Sequence, residues 1–139
     1  MNDCFDIKVM DNNGNCLVTL GNKKIITTSI PKDFKGDGTY QSSTELLAIS
    51  LATCIASSFS LFGKRLNIDT KNIGVKVKRT LTCFPKELKS IELIICIKQN
   101  ISDYQLDLIK TIIGDSTVRR AISKNITLNF FLNGKNISV

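Results

Sequence analysis

The 139-residue chain contains no histidine, no tryptophan, only two prolines and no CxxC pair. Without histidine it lacks the commonest general base and the commonest metal ligand. Ser-His-Asp and Cys-His mechanisms within one chain are thereby excluded, as are most zinc sites. Five cysteines stand at 4, 16, 54, 83 and 96, an odd number with wide spacing. That pattern argues against a disulfide framework and against a metal cluster, and no metal or cofactor is expected. No basic run exceeds two residues, so the formal charge of +7 reads as a scattered, solvated surface rather than a nucleic-acid footprint. Apolar runs are scarce too. Asp3 and Asp6 interrupt any signal-peptide pattern, which points to a cytoplasmic protein with reduced thiols.

The exception is Leu46 to Phe62, which carries no charge and approaches the length of a short membrane span. Ser50, Thr53, Ser57, Ser58 and Ser60 lie inside it, and amphipathic segments flank it, so a buried central helix is expected and not a membrane span. Ser42 and Glu45 fit a capping box at its start. Gly63, followed by Lys64 and Arg65, suits its end. Helical spacing aligns Leu47, Leu51, Cys54, Ser58 and Leu61 in one stripe, with Ala48, Ala52 and Ala56 on a second, narrow face. So much small and apolar surface predicts burial nearly all round, with a partner subunit supplying part of the cover.

Ahead of this helix, "FDIKVM", "CLVTL" and "KIITTS" read as a three-strand meander, the first half-buried by alternation. "IPKDFKGDGTYQ" reads as a mobile loop. After the helix, "IGVKVKRTLT" and "IELIICIK" form a hairpin around Pro85 and Lys86. Ser102 and Gln105 cap a helix ending at Gly114, and a short helix spans about Thr117 to Ser123. "ITLNFFL" is the last long strand, with Asn133-Gly134 as a turn. Strands in pairs around a long helix indicate one α+β domain over residues 1–139 with antiparallel sheets.

Two stretches, "SSTELLAISLATCIASSFSL" and "STVRRAISKNITLNF", together with this element order, resemble the OsmC/Ohr family of osmotically inducible and organic-hydroperoxide-resistance proteins. The resemblance implies an intertwined homodimer with two active sites at the subunit interface. It also implies a helix cysteine that reduces organic hydroperoxides, a second cysteine that closes a disulfide, and a lipoyl-type dithiol that reopens it. By position Cys54 corresponds to the attacking cysteine. Ser116 stands at the second-cysteine position and Thr117 at the proline after it, as in a divergent branch lacking the second cysteine. The family's N-terminal arginine has no counterpart, since the arginines are Arg65, Arg79, Arg119 and Arg120; Lys23, Lys24, Lys32 and Lys35 are the available substitutes. Thr44 occupies the place of the arginine-pairing glutamate, and Glu45 matches the acid of other OsmC-like branches.

A peroxidatic cysteine works as a thiolate. Cys54 lies beyond the positive end of its own helix, and burial would raise its pKa, so a cation is expected nearby. Cys83 and Cys96 are the alternative resolving thiols; otherwise an external thiol or dithiol must resolve the oxidised cysteine. Two readings of function follow. One is a thiol peroxidase acting on organic hydroperoxides in oxidative stress defence, with Cys54 as nucleophile and Glu45 as a candidate acid. The other is a non-catalytic dimer of the same fold that binds a small apolar ligand or a partner, with Cys54 a core residue, Glu45 a helix cap and Ser116 the N-cap of the short helix.

Overall fold

A computed structural model of the chain describes residues 4–139; Asp3, which figured in the signal-peptide argument, lies outside them. The chain divides into two compact units, residues 1–46 and 47–139.

In the first unit, β1 (Asp6–Val9), β2 (Cys16–Leu20) and β3 (Lys23–Thr28) form an antiparallel meander in the order β1-β2-β3. The expected half-burial of β1 is not found: Ile7 is 64% and Val9 69% exposed. A single three-strand layer gives these side chains nothing to pack under. The loop expected to be mobile is instead tied by its own hydrogen bonds. Gly36 N–H donates to Pro31 O, Gly38 N–H to Ile30 O, and Ser29 N–H to Gln41 O. Asn15, 7% exposed, donates from Nδ2 to both Asp11 Oδ2 (2.8 Å) and Asp37 Oδ2 (2.7 Å), while its Oδ1 accepts from Ser29 Oγ (2.7 Å).

The long helix α1 spans Ser43–Leu66. Glu45 N–H donates to Ser42 Oγ and Ser42 N–H to Glu45 Oε2, completing the expected capping box. The helix does not stop at Gly63. A Cβ there would meet Thr70 Cγ2 at 2.8 Å, so glycine permits a close approach inside the helix. Asn67, at φ 54°, ends the helix instead: its N–H bonds Lys64 O, and Ile68 N–H bonds Gly63 O, a Schellman closure.

In the second unit, β4 (Ile73–Cys83) and β5 (Lys86–Ile97) make a long hairpin. Its turn is shorter than expected, Phe84 and Pro85 joined by a cis peptide bond. β6 (Thr127–Leu132) lies parallel to β5, and β7 (Lys135–Ile137) returns antiparallel, giving a mixed sheet in the order β4-β5-β6-β7. The parallel pairing follows from the helical crossover between them, made by α2 (Asp103–Gly114) and α3 (Thr117–Ala121). Ile91, Leu93, Ile95 and Ile97 of β5 alternate into a core completed by Leu51, Ile55 and Phe59 of α1 and Ile109 and Ile113 of α2.

Among the described residues α1 is the one helix long and apolar enough to pass as a membrane span, with a mean hydropathy of 1.9. Here it serves as the core helix, but only one face is buried: Ala48, Leu51, Ala52, Ile55, Phe59, Gly63 and Leu66. Leu47 and Leu61 of the expected stripe are exposed, Leu61 at 78%. The buried line runs through Leu51, Ile55 and Phe59, which pack into the core with the alternate residues of β5, so it is rotated from the expected stripe: of that stripe Leu51 is fully buried, Cys54 and Ser58 are half-buried, and Leu47 and Leu61 are exposed.

Candidate active site

Cys54 lies at the border of the buried face of α1 and is half-buried. The connection after α2 brings a second element to it. Ile113, fully buried, anchors the end of α2, and Ser116 N–H donates to Ile113 O. Ser116 then caps α3: its Oγ accepts from Arg119 N–H at 3.3 Å. The same Oγ stands 3.3 Å from Cys54 Sγ, and Ser116 is only 3% exposed. Because the oxygen already accepts from Arg119, its proton is available to the sulfur.

The Cys54 thiol is held below its ordinary pKa. The Ser116 hydroxyl is the main cause, followed by the backbone N–H of Val118; burial opposes them, and the Thr117 N–H adds to the lowering. A cation was expected for this task. Neutral donors from α3 perform it, since hydrogen bonds to a thiolate favour its charged form as a nearby charge does. The sequence carried a partial signal in Ser116, a capping residue before "TVRRA", but nothing local shows that this cap faces Cys54.

The family model described as OsmC-like protein matches residues 36–130. The chain belongs to the OsmC-like family. No curated protein matches it. Among solved structures, a protein of Psychrobacter arcticus named for osmotic stress induction and detoxification response superposes with a TM-score of 0.80 at 20% identity, covering 95% of this chain and 96% of that one. The organic hydroperoxide resistance protein OsmC of Legionella pneumophila gives 0.71 at 18%, covering 93% and 96%. The OsmC-like protein of Mycoplasma pneumoniae gives 0.70 at 17%, covering 95% and 99%. These likenesses establish the α+β OsmC fold around a central helix.

Within this OsmC-like chain, Cys54 and Ser116 meet although 62 residues separate them. Glu45 is engaged in the capping box at the start of α1. Cys83 and Cys96 are free and exposed. Cys83 pairs with Lys86 at the hairpin tip and Cys96 with Gly74. The length of strand between those registers puts the two thiols about 30 Å apart, so they cannot share one site. Arg119, half-buried, donates from Nη2 to Val139 O at 2.9 Å and so ties α3 to the last residue; Arg120 is exposed. Among the described residues no cluster of three His, Cys, Asp or Glu side chains is placed to hold a metal.

Proposed function

We propose that the protein reduces organic hydroperoxides through Cys54, as a peroxidase with one working cysteine and an external thiol reductant. The observation that carries this reading is the hydrogen bond from Ser116 Oγ to Cys54 Sγ, which holds the sulfur toward its nucleophilic form. The thiolate attacks one peroxide oxygen and the O–O bond breaks. Sulfur gains that oxygen as a sulfenic acid, and the other oxygen leaves as the alcohol after taking a proton. Ser116 has no thiol to close a disulfide. An external thiol therefore condenses with the sulfenic acid, releasing water, and a second thiol frees Cys54 while the two reductant sulfurs join.

Exposed Leu47, Ile49, Leu61 and Phe62 on α1, and Phe5, Ile7 and Val9 at β1, favour a homodimer in which a second copy covers them. A cytoplasmic, thiol-reducing compartment fits five free cysteines. The serine at 116 also favours the second reading, a non-catalytic binding protein.

Mixing reduced protein with one equivalent of cumene hydroperoxide, and following peroxide and intact mass, separates the two. A peroxidase consumes peroxide quickly and gains one oxygen, Cys54→Ser does neither, and added thiol reverses the change. Ser116→Ala should raise the pH at which Cys54 alkylates. Ser116→Cys should convert the oxygen adduct into an internal disulfide. Oxidation of wild type no faster than of Cys54→Ser would leave Cys54 a core residue.

A further inference from the structure

The Cys54 thiol depends on a segment that has little of its own to hold it in place. Its donors come from Ser116, Val118 and Thr117, and no charged side chain of the described residues helps to hold it low. α3, which carries the two backbone donors, is five residues long, none of them buried. A helix that short has no stability of its own. Val118 and Ile122 give it only partly buried contacts with the core. A hydrogen bond weakens steeply with distance and angle, so even a small drift of α3 would cost the sulfur its donors.

Two contacts from the far end of the chain clasp this segment. β7 ends at Ile137, which is buried and registered against Phe130, so the residues after it start from the core sheet. Val139, two residues on, meets both sides of the connection between α2 and α3. Its Cγ1 stands 3.9 Å from the place a Cβ would take on Gly114, at the end of α2. Its carbonyl accepts from Arg119 Nη2 at 2.9 Å, on α3. Ser116 lies between those two points, and Arg119 reaches it as well, through its own backbone N–H to Ser116 Oγ. Among the described residues the guanidinium has no second acceptor, and its buried Nε is without a partner. Val139 is what fixes this side chain.

We infer that Arg119 is a positioning residue for Cys54: by gripping Val139 it holds α3 to the residues after β7, and so keeps Ser116, Thr117 and Val118 aimed at the sulfur. Its reach to a fixed carbonyl matters here, not its charge. This grip controls the state of the thiol whatever the thiol then attacks, so it is separable from the peroxidase reading.

The test is the pH profile of Cys54 alkylation by iodoacetamide, read from the mass of the peptide that contains Cys54. Arg119→Met should raise the midpoint by about half a unit, which at neutral pH makes alkylation about threefold slower. Arg119→Lys still carries a donor and should recover most of the difference. Removing Val139 leaves the arginine's charge in place and should raise the midpoint as far as Arg119→Met does. The two changes together should do no more than either alone, because both break one contact. Hydrogen exchange should quicken at the amides of α3 in the same variants. A midpoint unmoved by both changes, even with lowered thermal stability, would overturn the proposal and leave Arg119 a structural residue only. So would a rise in Arg119→Met that removal of Val139 does not reproduce, since charge and not grip would then be at work. Should Arg119→Met fail to fold, Arg119→Lys and the removal of Val139 still decide the matter. The expected midpoints in a protein that consumes no peroxide would uphold the grip and sink the peroxidase reading.

Discussion

Every buried hydrophobic residue of the described chain lies between Ala48 and Ile137, whereas residues 4–46 bury Asn15, Thr27, Ser29 and Ser42. The second region draws its order from hydrocarbon removed from water and packed tightly. The first depends on directional bonds, above all Asn15 bridging Asp11, Asp37 and Ser29. The second region has one buried polar residue, Ser116, and its hydroxyl bonds Cys54. The contrast shows where to look for chemistry. Among many polar partners one more hydroxyl is unremarked, but a lone hydroxyl in a hydrocarbon region must have a partner, and here that partner is the thiol.

The most damaging change to the hydrocarbon region should be Phe59→Ala, at a fully buried position. A loss of about 3–5 kcal/mol is expected in denaturant unfolding monitored by circular dichroism. Next, Asn15→Ala should remove the bridge in the polar region and cost about 1–3 kcal/mol, since it leaves its buried partner Ser29 Oγ short of an acceptor. Hydrogen exchange should quicken across residues 30–40 in this variant. Amides of Leu93 and its β5 neighbours should exchange as slowly as in wild type, and a matching acceleration there would show that the two regions do not draw on separate sources of order.

Acid should act in the same direction, more gently. Hydrogen bonds from Asn15 hold both Asp11 and Asp37 below the ordinary value of 3.8. A depressed folded pKa contributes stability that is present above the unfolded value and lost as pH falls through the folded one. Below pH 3.8, therefore, exchange should quicken in residues 11–15 and 30–40 before it does in β5, and equal acceleration everywhere would contradict the contrast. The smallest effect belongs to the exposed Lys78–Glu92 pair at 4.0 Å. Lys78→Ala should change unfolding stability by less than about 0.5 kcal/mol.

Much of this was legible in local pattern. Ser42 with Glu45 and Ser102 with Gln105 announced both helix starts, because a capping box is made by neighbours in sequence. The alternation of β4 and β5 announced the hairpin. Gly63 misled, since a glycine that ends a helix and one that admits Thr70 look alike in sequence. The loop before α1 misled for a related reason: its polar residues signal exposure, and only the fold reveals that Asp37 has Asn15 to bind.

The helix caps, the strand alternation and the placing of one cysteine inside an apolar helix depend on residues a few positions apart, so the order of amino acids alone was enough to specify them. The family resemblance had already set Ser116 at the position that partners the reactive cysteine, but which face of α1 is buried, and that Ser116 gives its hydroxyl to Cys54 as a hydrogen bond, emerged only once the chain was folded. A thiol's charge state depends on whatever donors surround it in space, and here they come from a helix that begins more than sixty residues further along the chain.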